Sequence, residues 1–275
     1  MFALFFIIGS ILFFLRIGVR IKYMKNTMED IAIIILAAGL GKRMKSDKAK
    51  VLHEVLGVPM ILHILKTANS VAGENIVIVV GHQADKVKKI VSEKYKVTFA
   101  FQEEQKGTGH AVLCALPHLP KTAKSVIILC GDVPMLTIET LGKLINCHKE
   151  KNHDLSLLSV EVDDPKGYGR LILDDDSNLC GIVEEADAQG DQKKIKTVNA
   201  GIYCVTVDLL RDILPKIKSN NEQGELYFTD IVGMTYHKGE KSIGAITCSD
   251  YKEVMGVNSQ DDLQIVEKNF SKRMA

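Results

Sequence analysis

Residues 31–53 read IAIIILAAGLGKRMKSDKAKVLH. The opening run, 31–36, is apolar and rich in β-branched residues, as in a strand buried on both faces. It ends in a glycine-bearing loop. Gly39 and Gly41 carry no Cβ, so backbone N–H groups there can approach an anion closely. Lys42, Arg43, Lys45, Lys48 and Lys50 follow, five positive charges within nine residues. The combination suits a polyphosphate held at the carboxyl end of a strand, where open α/β sheets take their ligands. A solvated basic loop is the plainer alternative.

The rest of the 275-residue chain makes that cluster stand out. Thirty-five basic and 34 acidic residues leave a net charge of +1. Nothing in that balance points to a nucleic-acid partner. A hydrophobic content of 46% and a charged content of 25% are ordinary for a globular domain with a large core. The six cysteines, at 114, 130, 147, 180, 204 and 248, form no C-x-x-C pair and read as reduced core residues of a cytoplasmic protein. The eight histidines are scattered without ligand spacing, which disfavours zinc.

Residues 1–15, MFALFFIIGSILFFL, are uncharged and almost wholly apolar, and Arg16, Arg20, Lys22 and Lys25 follow. That is short for a membrane span, and it lacks the basic start and cleavage site of a signal peptide. If it inserts, the trailing charges keep the remainder cytoplasmic, tethered to the inner face of the membrane. The preferred reading is an upstream start, with residues 1–27 an extension and the domain opening at Met28.

Strand and helix signals then alternate. Strands are expected at 75–80, 97–101 and 125–130, and helices at 60–72 behind Pro59, 86–95, 109–116 and 138–149. This β-α-β-α order argues for a parallel sheet covered on both faces. From 151 onward strand-like runs at 155–162, 169–173, 179–184 and 198–206 suggest an antiparallel insertion or extension. A polar loop at 192–196, helices at 208–218 and 226–237, a strand at 241–247 and a terminal helix at 260–272 complete the reading. No internal repeat is present.

Four groups of residues are suited to chemistry, the first within the opening stretch itself. The loop 37–44 lacks both the G-x-G-x-x-G and the G-K-[ST] patterns, so nicotinamide and Walker-type sites are disfavoured. Arg43 and Lys50 remain suited to a triphosphate, where cations offset charge moving between attacking and leaving oxygens. Asp132, in Cys130-Gly131-Asp132-Val133-Pro134 behind a buried strand, is placed to hold Mg²⁺, or else to cap the next helix. Gln102, in Q-E-E-Q-K-G-T-G-H (102–110), can read a base edge with its amide; Gly107 permits close approach and Thr108 a hydrogen bond. The alternative there is a flexible loop. Glu184 and Asn199 lie in strand-like runs and either bind hydroxyls or face solvent. Asn258 either serves the site or caps the last helix.

Taken in order, L-A-A-G-x-G-x-R-M, K-V-L-H, Q-x-E-Q-x-G-T-G-H-A, G-D-V-P, Y-G-R, G-I-V-E, N-x-G-I-Y, Q-G-E-L-Y-F-T-D-I and G-V-N resemble one family over about residues 31–270. It is the uridylyltransferase domain of bacterial N-acetylglucosamine-1-phosphate uridylyltransferase, within the nucleotide-sugar pyrophosphorylase superfamily. The resemblance implies an α/β, Rossmann-like nucleotidyltransferase domain (28–258) with a mostly parallel sheet and a smaller β-rich sugar-binding lobe, followed by a C-terminal helix at 259–275. It implies that Leu36, Ala37, Ala38, Gly39, Lys50, Gln102, Gly107 and Thr108 bind the uridine nucleotide. By the same resemblance Arg43 and Lys50 act on the phosphates, Asp132 and Asn258 hold Mg²⁺, and Gly169, Glu184 and Asn199 bind the sugar. The implied reaction is Mg²⁺-dependent transfer of UMP from UTP to N-acetylglucosamine-1-phosphate, feeding cell-wall precursor synthesis. The substrates are UTP and the sugar-1-phosphate, without nucleic acid, and with a membrane only if residues 1–27 insert. Transfer to another sugar phosphate, a binding-only subunit and a membrane-tethered scaffold are the competing expectations.

The departures from the family pattern bear on scope. The β-helix that carries acetyl transfer in the family, and supports its trimers, shows as hexapeptide repeats, and this sequence has none. The resemblance therefore covers uridylyl transfer, with acetyl transfer left to a separate protein. Position 130 is Cys where an aromatic residue is frequent, and 200 is Ala where Thr is frequent. Both bear on the sugar pocket.

Overall fold

The computed structural model describes residues 30–239 and 242–274. The expectations for residues 1–27, for Met28, for Lys241 and for Ala275 lie outside the described residues, as does the Lys42 side chain. Among the described residues, no helix is long and apolar enough to cross a membrane.

The opening run forms β1 (Ile31–Ala37). It lies between β4 (Ile76–Val80) and β6 (Ser125–Cys130), parallel to both. Hydrogen-bonded on both edges and covered on both faces, it has no solvent side, which is why it is a continuous apolar run. Ile31, Ile33 and Ile35 enter one core with Ile61 and Leu65 of α1 (Met60–Ala72) and Leu141 of α4 (Ile138–Glu150). Ala32 and Ile34 enter the opposite core with Val112 of α3 (Thr108–Ala115), Leu210 of α5 (Val207–Ile213) and Ile231 of α6 (Asp230–Lys238). Alternate side chains thus feed two cores on the two faces of one sheet.

The nine-stranded sheet runs β11 (Ile243–Cys248), β7 (Leu155–Glu161), β10 (Thr197–Thr206), β6, β1, β4, β5 (Thr98–Phe101). The chain proceeds from β1 outward to β4 and β5, then returns to β6 on the other side of β1. That reversal opens a crevice at the carboxyl ends of β1 and β6, the usual place for a ligand in such sheets.

Two expectations are resolved by the pairing. Of the antiparallel insertion or extension expected after residue 151, the extension is what forms. β10 runs antiparallel between β6 and β7, and β11 lies parallel to β7, so three of them extend the main sheet. Outside its path stands the hairpin of β8 (Arg170–Leu173) and β9 (Leu179–Val183), attached to β10 by the pairing of Arg170 with Val198. Second, 226–229 is not the start of a helix; α6 begins at Asp230. Residues 226–228 instead bond to residues 106–109, as described below.

The helix expected at 208–218 ends as an α-helix at Ile213, followed by a 3-10 turn at Leu214–Lys216, and the loop expected at 192–196 overlaps a 3-10 helix, Gly190–Lys194; most other boundaries shift by a turn or less. The helix expected at 86–95 is α2 (Ala84–Ser92), and Pro59 stands at the N-cap of α1 rather than inside it. A short hairpin of β2 (Glu54–Val55) and β3 (Val58–Pro59) was not legible in two-residue strands. Behind it lies a third small core of Met44, Val55, Met60, Met135, Met255, Val257 and Val266. It fastens α7 (Gln260–Met274), where Gln260 donates to the Met44 carbonyl at 3.2 Å and Arg273 to the Met135 carbonyl at 2.9 Å.

Candidate active site

A cavity of about 510 Å³ opens at the carboxyl ends of β1 and β6. Leu36, Ala37, Ala38 and Gly39 form one wall, at the end of β1. Arg43 and Lys50 line it from the loop that follows. Gln102, Gly107 and Thr108 line it from the connection between β5 and α3, and Asp132 and Asn258 complete it. The residues expected for the nucleotide, the phosphates and the cation therefore come together around one space. The basic cluster divides: Lys45 is exposed, and Lys48 pairs with Glu54 at 3.0 Å on the surface.

Lys50 is the centre of the polar floor. Its ammonium is ion-paired with Asp132 and donates to Asn258 Oδ1 at 3.1 Å. Partners 82 and 208 residues away in sequence thus converge on one positive charge. The capping alternatives are taken by other side chains. Thr137 caps α4, accepting from the Thr140 N–H at 3.0 Å, so Asp132 has no such role. At α7 the Ser259 hydroxyl accepts from the Asp262 N–H at 3.2 Å, while Asp262 accepts from the N–H groups of Asn258 and Ser259 at 2.9 Å each. This reciprocal box leaves the Asn258 side chain to Lys50. The Val257 N–H, bonded to the Asp132 carbonyl at 2.9 Å, holds the two ligand candidates together.

A carboxylate and an amide carbonyl aimed at one cation make an all-oxygen donor pair. Mg²⁺ takes one or two such protein ligands and completes its shell with water and substrate phosphates. The Lys50 ammonium shows where a cation is already tolerated, and on that ground the residues fit Mg²⁺. Among the described residues no group of three or more His, Cys, Asp or Glu could hold a metal.

The nucleotide loop is built by pairing with a distant segment rather than left flexible. The Leu226 N–H donates to the Lys106 carbonyl and the Gly109 N–H to the Leu226 carbonyl, both at 2.7 Å. The Phe228 N–H donates to Thr108 Oγ1 at 3.0 Å. Gly107 is the pivot, with φ 106° and ψ 176°. A Cβ there would stand 2.6 Å from the Leu226 carbonyl oxygen. Gln102 is 3% exposed, and its amide nitrogen donates to the Gly107 carbonyl at 3.1 Å.

Gly169, Glu184 and Asn199 are not in the cavity lining but form a group of their own. The Asn199 N–H donates to the Gly169 carbonyl at 2.8 Å, and a Cβ on Gly169 would meet Glu184 Oε2 at 3.2 Å. Neither polar side chain merely faces solvent. Glu184 accepts from the Thr229 hydroxyl at 2.9 Å; burial pushes its carboxyl upward, and that bond opposes the rise. The strand β10 is irregular between Asn199 and Tyr203, with Gly201 at φ +71°. The bulge turns the Asn199 amide back on its own strand: Oδ1 accepts from the Gly201 N–H at 3.0 Å and Nδ2 donates to the Tyr203 hydroxyl at 2.6 Å.

Cys130 links the two groups. It lines the cavity, and its thiol donates to the Gly201 carbonyl at 3.6 Å. Burial, and next the Asp132 carboxylate, push this thiol up to about 12. The expectation of six core cysteines is thereby corrected. All are free thiols, but Cys204 and Cys248 are the buried ones, while Cys130 faces the site. The sequence reading also missed Gln105 and Glu225 in the lining, and Thr229 as the partner of Glu184. Each lies inside a quoted motif, the only signal that could have marked it.

The chain matches the MobA-like NTP transferase domain over residues 33–195. It is 42% identical over 243 residues to bifunctional protein GlmU of Desulfotalea psychrophila, covering 88% of this chain and 71% of that protein. It is likewise 42% identical over 247 residues to bifunctional protein GlmU of Caldanaerobacter subterraneus, covering 90% and 53%. Against the latter and similar relatives the chain spans about half their length. Among solved structures, HddC from Yersinia pseudotuberculosis complexed with GMP-PN is similar with a TM-score of 0.64 at 23% identity, covering 87% of this chain and 99% of that one. At that identity the likeness is one of fold.

Proposed function

We propose that this chain, which belongs to the MobA-like NTP transferase family and is a nucleotidyltransferase akin to the GlmU proteins, transfers UMP from UTP to N-acetylglucosamine-1-phosphate with Mg²⁺. The observation that carries the reading is the convergence of Lys50, Asp132 and Asn258 beside the glycine-bearing loop, at the crevice between β1 and β6. The 42% identity to bifunctional GlmU proteins supports the substrate choice. On this reading residues 28–258 are the transferase domain and α7 its fastening, working in the cytoplasm.

The chemistry follows from charge. A phosphate oxygen of the sugar-1-phosphate attacks the α-phosphorus of UTP in line, and pyrophosphate leaves. The nucleophile is an anion at neutral pH, so no general base is required. The obstacle is the approach of two anions. Arg43 and Lys50 offset this repulsion from the lining and stabilise charge on the leaving group. Asp132 and Asn258 would hold Mg²⁺, which when bound supplies further neutralisation of phosphate oxygens. The Lys50 ammonium, relieved of those two oxygens, is then left to the phosphates. Gln102 and the loop at Gly107 receive the base. Gly169, Glu184 and Asn199 receive the sugar hydroxyls and the N-acetyl group on the far side of Cys130.

The test is pyrophosphate release by the full chain given UTP, Mg²⁺ and N-acetylglucosamine-1-phosphate, with glucose-1-phosphate in parallel. Fast release with the N-acetyl sugar is the expected result. Preference for glucose-1-phosphate overturns the sugar assignment, and no release with either overturns the transfer reading.

A further inference from the structure

His110 belongs to a quoted motif, yet the reaction as described gives it no task. It lies on α3, one turn from the nucleotide loop, and its Nδ1 is 3.1 Å from the Gln102 amide nitrogen. The same amide nitrogen is 3.1 Å from the Gly107 carbonyl oxygen. A carbonyl can only accept, so the nitrogen end of the amide must face Gly107. Its two hydrogens then go to Gly107 and to His110. His110 Nδ1 must accept, which puts the ring proton on Nε2, toward Cys114 Sγ at 3.7 Å. Gln102 Oε1 has no partner among the described residues, and Gln102 lines the cavity.

This arrangement resists rotation of the amide by half a turn. Rotation would set Oε1 against the Gly107 carbonyl and the Nδ1 lone pair, opposing acceptor to acceptor twice. The site therefore offers a fixed acceptor. Uracil carries a hydrogen on N3 and meets it, whereas cytosine presents a lone pair at N3. A glutamine free to rotate would serve either base by exchanging its two ends.

We infer that His110 is a positioning residue for base choice: by accepting from Gln102 it joins the Gly107 carbonyl in fixing the amide, so that the cavity selects a pyrimidine with an N3 hydrogen over cytosine. This rests on the nucleotidyl-transfer reading above for the nature of the ligand, but it concerns binding and can be tested apart from turnover.

The experiment compares UTP and CTP affinity by calorimetric titration, with Mg²⁺ and no sugar phosphate. The proteins are wild type, His110→Phe, Gln102→Ala and the double variant. His110→Phe keeps the ring's bulk and removes the Nδ1 lone pair. The UTP preference is expected to fall about ten-fold in His110→Phe, in line with one buried hydrogen bond. It should fall no further in the double variant than in Gln102→Ala alone, because His110 acts only through Gln102. An unchanged preference in His110→Phe overturns the inference, as does an equal fall in the Gln102→Ala background. A wild type that binds CTP as tightly as UTP also overturns it. Selective UTP binding without pyrophosphate release from any sugar phosphate would instead overturn the transfer reading, while the binding ratios still decide the role of His110.

Discussion

Replacing Gly107 by alanine tests how the nucleotide loop is made. The residue sits at φ 106° and ψ 176°. That region is nearly confined to glycine and costs other residues roughly 1–3 kcal/mol. Space is the second obstacle, since the new Cβ would stand 2.6 Å from the Leu226 oxygen and 2.8 Å from its nitrogen. Both are backbone atoms, so no side chain can swing aside. The segment around Leu226 must retreat, and the two 2.7 Å bonds that join it to Lys106 and Gly109 part. Each such bond contributes about 1 kcal/mol. The expected destabilisation is about 3–5 kcal/mol. For a chain of this size that lowers Tm by roughly 10 °C, measurable by calorimetry or circular dichroism. Nucleotide affinity should fall with it, because the Gly107 carbonyl orients Gln102. A variant melting within about 2 °C of wild type would refute the close approach on which the argument stands.

Other perturbations address separate parts of the site. Lys50→Ala should lower kcat by about 10²–10³-fold, as loss of one charge-stabilising donor does, with a cooperative unfolding transition retained; unchanged turnover removes Lys50 from the phosphate chemistry. Asp132→Ala should abolish the Mg²⁺-dependent rate, and a normal Mg²⁺ titration in that variant excludes metal ligation there. Tyr203→Phe removes the hydroxyl that holds Asn199 but keeps the ring against Phe228, 4.9 Å between centroids. The sugar-phosphate KM should rise about five- to ten-fold with Tm unchanged, and an unchanged KM separates Asn199 from the sugar. Burial, helped by nearby His153, draws the His148 imidazole down to about 4, and it shares the Ser156 hydroxyl with His153. The folded state keeps this ring neutral while the unfolded chain protonates it below its ordinary value. Stability is therefore full above about pH 6.5 and lost as pH falls toward 4, by on the order of 3 kcal/mol. Urea midpoints across that range that do not fall would contradict this.

What the sequence disclosed depended on how local the cause was. Residues 125–130 and the start of α4 were legible because burial on both faces and the Thr137 cap act within a few residues. The insertion of β10 between β6 and β7 was not legible, because a strand's pattern shows that it is buried but not beside which neighbour. The same applies to residues 226–228: their apolar pattern suits a helix, and only the carbonyl of Lys106 and the N–H of Gly109 draw them out of it. In the site, the convergence on Lys50 was legible only through family resemblance. Spacing alone left Asp132 and Asn258 open between the site and helix caps, until Thr137, Ser259 and Asp262 took the capping tasks.

The distance along the chain between Lys50 and Asn258 also has a temporal meaning. During synthesis β1, β4, β5 and β6 can pair once residue 130 has left the ribosome, so the glycine-bearing loop and Asp132 are present early. The second oxygen of the pair proposed for the cation emerges only with Asn258, and α7 must then dock on Met44 and Met135 to hold it. A growing chain can thus own most of the cleft while lacking one half of the oxygen pair proposed to seat the cation. Competence arrives after the sheet that carries it.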